Sequence, residues 1–160
     1  MSEQIIYSEI PDERPLLRFF IDNGLEYSED DGIATDLVKC WKAEAAEGGG
    51  VADGVGTGGL RLVGGCVLAK RQGRFICDGI ATDPSVRGQG AGERLLEILI
   101  EEARRQGAEA VYLVARAPGF FARYGFAAVP REEAPTFFEC FSCSQYGKSC
   151  HPVVMRLAIA

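Results

Sequence analysis

The sequence predicts one mixed α/β domain with an antiparallel front half. Two strand-like runs, 60–70 and 74–82, stand on either side of the short turn Arg71-Gln72-Gly73. A glycine-rich turn then leads into an amphipathic helix and a further apolar strand. The 160 residues are 47% apolar and 25% charged, the proportions of a folded globular domain large enough to bury its own core.

The elements follow in order. Residues 4–9 (QIIYSE) read as a short strand, and Pro11-Asp12 opens a helix to about Asn23 with Leu16, Leu17, Phe19, Phe20 and Ile21 as its apolar side. Residues 33–41 are ambiguous, and 41–46 reads as a strand. The segment 48–59 is glycine-rich and carries no large side chain, so it is expected to be a loop. Its Gly54-x-Gly56-x-x-Gly59 has neither a preceding apolar strand nor a following helix, the context a dinucleotide fingerprint needs. In the hairpin that follows, Lys70 opposite Arg74 would set Cys66 opposite Asp78. A helix is expected at about 92–106, with Leu95, Leu99 and Ala103 in one stripe, and Gly107 ends it. A buried-type strand at 109–115, a short helix at 118–124, and strands at 126–129 and 153–159 complete the chain.

Composition excludes several partners. Lys plus Arg number 17 against 23 for Asp plus Glu, a net charge of −6, which disfavours nucleic acid and anionic membranes. No apolar run approaches the ~18 residues of a spanning helix, and the first residues carry no leader pattern, so a cytoplasmic protein is expected. The six cysteines are then thiols or metal ligands rather than structural bridges.

The sharpest local signal is the turn Asp83-Pro84-Ser85-Val86-Arg87-Gly88-Gln89-Gly90-Ala91-Gly92-Glu93, set after a strand and before a helix. Helix-initial amides lack internal partners and sit at the positive end of the dipole, so a small-residue turn there can cradle a pyrophosphate. Glycine spacing alone is equally compatible with a plain tight turn. The Lys-Ser/Thr of a P-loop is absent.

These residues carry a family resemblance. VRGQGAGERLL resembles the Arg/Gln-x-x-Gly-x-Gly/Ala motif of the GCN5-related N-acetyltransferases (GNAT), and ATDP before it and APGFFARYGF after it resemble that family's adjoining segments over roughly residues 60–130. The resemblance implies a mostly antiparallel sheet, flanked by helices and splayed between the strands at 74–82 and 109–115, where acetyl-CoA enters. It implies that Ile80, Ala81 and Thr82 line the pantetheine arm and that Gly88, Gln89, Gly90, Ala91 and Gly92 hold the pyrophosphate, with Arg87 at its flank. It further implies acyl transfer, in which a neutral amine attacks the thioester carbonyl and a backbone N–H near Ile80 stabilises the oxyanion.

Asp78, two residues before Ile80 and so expected on the same face, is the candidate base, or else a solvated strand carboxylate. The family's Tyr, four residues before the Gly-Phe pair, is Phe121 here, a position implied to line the cofactor. Tyr124 is the remaining candidate acid, or a packing residue. A thiolate with a thiol pKa near ~8.5 also leaves without an acid.

YLVARAPGFFARYGFAAVPREEAP resembles the short N-acetylglutamate synthase-like branch, which implies an amino-acid acceptor with Arg116 and Arg131 as carboxylate partners; each is equally readable as a surface charge. The tail at 137–151 brings Cys140, Cys143, Cys150 and His151 together: zinc ligands, a redox pair, or packed thiols. Phe137, Phe138 and Phe141 beside them fit core or a homodimer contact. The expected function is N-acetylation of a small-molecule amine with acetyl-CoA as cosubstrate. The competing class, motivated by Phe121 and the tail cysteines, is a non-catalytic acyl-CoA-binding or thiol- or metal-responsive regulator.

Overall fold

The computed structural model describes residues 4–23, 35–46, 59–115, 118–130 and 153–159. Seven strands form one sheet in the order β1-β2-β3-β4-β5-β7-β6. They are β1 (Ile5–Ile10), β2 (Asp36–Ala46), β3 (Leu60–Arg71), β4 (Arg74–Thr82), β5 (Ala110–Ala115), β6 (Ala127–Ala128) and β7 (Val153–Ala158). All neighbours pair antiparallel except β4 and β5, which are parallel. Among the described residues the α-helices are α1 (Arg14–Asp22), α2 (Ala91–Arg105) and the short α3 (Pro118–Ala122). The ambiguous stretch before Trp41 is the first half of β2, paired on both sides by β1 and β3. The expected loop at 48–59 lies, apart from Gly59, outside the described residues, as does the cysteine-bearing segment 137–151.

Each face of the sheet carries one long helix. In α2 the apolar stripe read from the sequence puts Leu95, Leu96 and Leu99 at 0% exposure against Val63, Cys66, Leu68 and Val111. Burial of each leucine is worth roughly 1.5–3 kcal/mol. The helix stops at Gly107, where the Ala108 amide reaches the Ala103 carbonyl (3.0 Å) and the Gly107 amide the Arg104 carbonyl (3.0 Å), a Schellman closure. Its last turns are tied to β2 by Glu102, which accepts from Lys39 (3.3 Å), Arg105 (3.1 Å) and Gln106 (2.9 Å).

On the opposite face Asp12 accepts the Arg14 amide (2.9 Å) at the start of α1, and Leu16 and Phe20 bury fully beside Cys40 and Val67. This helix lies directly on glycine: a Cβ on Gly65 would stand 2.5 Å from Leu16 Cδ2, and one on Gly79 2.8 Å from Phe20 Cε2.

The β3–β4 hairpin differs from its expected register. The turn is the two residues Gln72 (φ 53°) and Gly73 (φ 77°), a type I′ geometry, so Arg71 faces Arg74 and Lys70 faces Phe75. Farther along, Val67 pairs with Gly79 and Leu68 with Cys77, leaving Asp78 as the extra residue of a β-bulge. Cys66 consequently faces Ile80, not Asp78.

Because Phe20 is rigid and fully enclosed, Gly79→Ala is expected to cost about 1–3 kcal/mol through overpacking. This is read as a lower urea midpoint with an unchanged m-value.

Candidate active site

The site grows from a fork in the sheet. β4 and β5 pair only at Phe75↔Val111 and Ile76↔Tyr112; beyond them β4 runs on to Thr82 with β3 alone as its described partner. The Asp83 amide bonds the Val63 carbonyl at 2.8 Å, on the β3 side. Strand alternation therefore turns the backbone groups of Thr82 and Ile80 away from β3, into the gap that β5 has vacated.

Ala81 corrects the sequence reading. It pairs with Gly65, and its side chain packs in the α1-side cluster, so its polar backbone groups belong to the β3 ladder.

At the end of β4 the chain folds into a 3₁₀ turn, Pro84–Val86, capped by the Asp83 carboxylate accepting the Ser85 amide (2.9 Å). The Ser85 hydroxyl accepts from Arg61 (3.1 Å), and hydrogen bonds from Ser85, aided by the charges of Arg61 and Arg87, hold Asp83 below the usual carboxylate range. Val86, 1% exposed, plugs the turn into the core. Gly90 takes the left-handed conformation (φ 79°) as the N-cap residue of α2, a geometry that only glycine adopts without strain.

The helix-initial amides of Ala91, Gly92 and Glu93 have no intrahelical partner, as at any helix start. The Gln89 amide is different: it is engaged by the Val86 carbonyl (3.1 Å), and the Gln89 side chain donates to the Ser85 carbonyl (3.3 Å). Gln89 therefore shapes the turn. Gly88 is also left-handed (φ 85°), with open space where a Cβ would stand. Arg87 is exposed, beside the turn.

α3 closes the same end. Added to Gly92, a Cβ would stand 3.4 Å from Phe120 Cζ and 3.7 Å from Thr82 Cγ2, so the start of α2, the end of β4 and α3 converge there. Phe121 stands edge-on to Phe120 (5.1 Å between ring centroids) and to Phe126 (5.8 Å), in an aromatic cluster against the α2-side core. The Tyr124 ring lies 5.4 Å from that of Phe120. Partial burial, together with the Glu93 and Glu97 carboxylates, pushes its phenol up, so it stays protonated across the neutral range.

Asp78 is not on the face expected for it. The bulge breaks the two-residue alternation: Ile80 packs with the α2-side core, whereas the Asp78 carboxylate is 3.4 Å from the Arg71 guanidinium. Arg71 follows Lys70, whose ammonium stands over the Phe75 ring of the α2-side core, and so lies on the opposite face. It is 6% exposed, and its Nε donates to the Thr35 hydroxyl (2.8 Å). Sequence reasoning missed this residue because it assigned Arg71 to the turn. The two-residue X-Gly hairpin rule applied at Gln72-Gly73 would have found it.

Cys77, one residue before the bulge, is buried, and desolvation pushes its thiol up to about 12, which removes it as a nucleophile at neutral pH. Arg116, Arg131, Cys140, Cys143, Cys150 and His151 lie outside the described residues. A groove of about 640 Å³ beside α2, lined in part by Glu9, Lys39, Trp41 and Glu102, involves none of the fork residues. Its Lys39 is held by Glu9 (3.4 Å) and Glu102 (3.3 Å). Among the described residues no helix is long and apolar enough to cross a membrane.

The fold is that of several solved acetyltransferases. The N-acetylglutamate synthase from Neisseria gonorrhoeae, solved with coenzyme A and N-acetyl-glutamate, superposes with a TM-score of 0.66 at 19% identity, covering 100% of this chain and 36% of the synthase. The chain thus spans about a third of that enzyme's length. A GNAT-family acetyltransferase from Staphylococcus aureus Mu50 gives 0.65 at 15% identity, covering 98% of this chain and 100% of the other. The ribosomal-protein-S18-alanine N-acetyltransferase from Escherichia coli gives 0.63 at 17% identity, with 98% and 95% covered. No curated protein matches the sequence. The family profile described as "Acetyltransferase (GNAT) family" matches residues 16–126, spanning α1, the fork, the glycine turn and α3, and the chain belongs to that family.

Proposed function

We propose that this protein is an acetyl-CoA-dependent N-acetyltransferase that modifies a primary amine. The observation that carries the reading is the fork: the unpaired side of β4 at Ile80 and Thr82 leads straight to the amides that open α2. An extended pantetheine arm completes the edge that β5 leaves, and the pyrophosphate takes the helix-initial amides of Ala91 and Gly92 with Arg87 at its flank. Gly88 and Gly90 keep the approach to those amides free of side chains. Phe120 and Phe121 line the α3 side.

In the reaction the neutral amine attacks the thioester carbonyl, forming the C–N bond. The carbonyl oxygen collects the charge and is stabilised by the Ile80 N–H. Collapse of the tetrahedral intermediate breaks the C–S bond, the amine's proton passes to a base, and CoA departs as thiolate. Asp78 is the base candidate carried by β4, and Arg71 fixes its carboxylate. Tyr124 is a packing residue whose hydroxyl adjoins Glu93, and Phe121 offers no proton, so thiolate departure proceeds without a dedicated acid. Holding amine and thioester in attack geometry is the larger share of the catalysis.

The acceptor is the finer question. A free amino acid, expected from the synthase-like segment, would need Arg116 and Arg131 at its carboxylates, and thiol release against a panel of amino acids, amines and peptides identifies it. Acetyl-CoA binding without turnover on any acceptor would favour the regulator; no binding at all would overturn the transferase.

Gly90→Val, which forces a β-branched residue to positive φ, is expected to weaken acetyl-CoA binding by at least about 10-fold in calorimetry. Asp78→Asn is expected to lower kcat by about 10²-fold or more, with acetyl-CoA affinity retained. Tyr124→Phe should lower kcat by well under the ~10²-fold that loss of a general acid would produce.

A further inference from the structure

The described arginines, apart from Arg61 beside the glycine turn, divide into two kinds. Arg14, Arg18, Arg71, Arg94, Arg104 and Arg105 each sit in an ion pair with a carboxylate. Arg87, Arg123, Arg74 and Arg156 form no ion pair among the described residues, and they occur in two places. Arg87 and Arg123 flank the glycine turn, Arg123 over the Phe120 ring at 5.9 Å, where the transferase reading already sets a pyrophosphate. The other two lie at the closed end of the fork, on the face opposite α2, where that reading uses only Asp78, held by Arg71.

Their placement follows from the register. Arg74 and Ile76 are two residues apart on β4, Ile76 pairs with Tyr112 on β5, and Tyr112 pairs with Arg156 on β7, so all four share one face. Both guanidinium groups stand by the same ring, Arg74 at 5.5 Å and Arg156 at 6.0 Å from the Tyr112 centroid. Arg71, directly across the hairpin from Arg74, adds a third cation to the row, with Asp78 as its carboxylate. Like charges directly opposite on neighbouring strands disfavour pairing. Here the row is kept in a chain of net charge −6, with Arg74 and Arg156 exposed.

We infer that Arg74, Tyr112 and Arg156 form a docking surface for an acidic peptide segment, and that the acceptor amine is carried on such a segment. The inference rests on the transferase reading for its second half. Charge complementarity selects an anion. The spread of the cations selects a chain: β4 and β7 stand two strand spacings apart, about 10 Å, roughly three residues of extended peptide. A small oxyanion needs donors converging on one point, as backbone nests provide, and this surface spreads them over strands. Nucleic acid is disfavoured by the net charge of the whole molecule. Along β4 the patch is six residues from Ile80, roughly 20 Å, so carboxylates held there belong to the same acceptor only if it is a polypeptide.

The test is fluorescence anisotropy with a labelled Ala-Glu repeat hexapeptide, its Ala-Gln counterpart, and short single-stranded RNA and inorganic pyrophosphate as competitors. Saturating CoA occupies the glycine turn. The glutamate peptide is expected to bind at least about 10-fold tighter than the glutamine peptide at low salt, and to lose that margin in about 0.5 M NaCl. Arg74→Glu and Arg156→Glu should each abolish the difference with melting temperature unchanged, while Arg18→Glu, on α1, leaves it intact. Equal binding of both peptides, binding insensitive to Arg74 and Arg156, or RNA or pyrophosphate held at these arginines in preference to the peptide would overturn the docking surface. Calorimetry with acetyl-CoA on the wild-type protein separates the two readings: its failure removes the transferase and leaves the peptide result standing.

Discussion

β4 keeps a neighbour on both sides for only two rungs of its pairing with β5, and the proposed site depends on how that loss of a neighbour is arranged. Buried amides and carbonyls left without partners cost about 1–3 kcal/mol each, so a strand does not part from its sheet without a compensating cause. Here the cause is local. The bulge at Asp78 makes two residues of β4 oppose one of β3, bends the strand, and seats Gly79 under the Phe20 ring while Ile80 turns to the α2 side. Strand, bulge and α1 act as one unit. Without the glycine the ring could not descend.

The same parting organises the charges. At the open end, β4 delivers the chain into the Pro84–Val86 turn and then into the first turn of α2, so the exposed strand edge and the positive end of the helix dipole are consecutive along the backbone. Arg87 and Arg123 reinforce that end. On the other face, the buried Arg71 is held by Thr35 and by Asp78, the extra residue of the bulge. One backbone irregularity, next to the edge on which an extended cofactor can lie, turns the adjacent carboxylate toward the opposite face. A carboxylate on one side of the sheet and an open strand edge on the other suit the proposed reaction, in which acceptor and donor meet from opposite directions.

The parts of this architecture legible in the sequence were those governed by short-range rules. α2 shows a leucine stripe of helical period between a glycine turn and Gly107, and the structure places Leu95, Leu96 and Leu99 at full burial. The hairpin was legible as a hairpin, and the turn after β4 as a helix-initiating turn, because glycine density and strand-like alternation are local properties. The register was not legible. It depended on Gln72, a non-glycine residue at φ 53°, taking one of the two turn positions, so the closing pair moved from Lys70–Arg74 to Arg71–Arg74. That shift hid Arg71, and the unforeseen bulge removed the argument that had set Asp78 beside Ile80.

Element identities outside the ambiguous stretch before Trp41, the order of those elements, the family motif at Arg87–Gly92 and the departure at Phe121 are thus written in the chain itself, because each rests on residues within a few positions of one another. Tertiary structure alone decided which residues share a face. Side-chain direction alternates residue by residue in a strand, so one extra residue exchanges the two sides of the sheet. The positions of the turn and bulge are selected by packing between segments far apart in sequence: Phe20 on Gly79, Leu16 on Gly65, and β5 on β4 for two rungs only. For that reason the arginine row of Arg71, Arg74 and Arg156, drawn from three strands, emerged only when the sheet had closed around Tyr112.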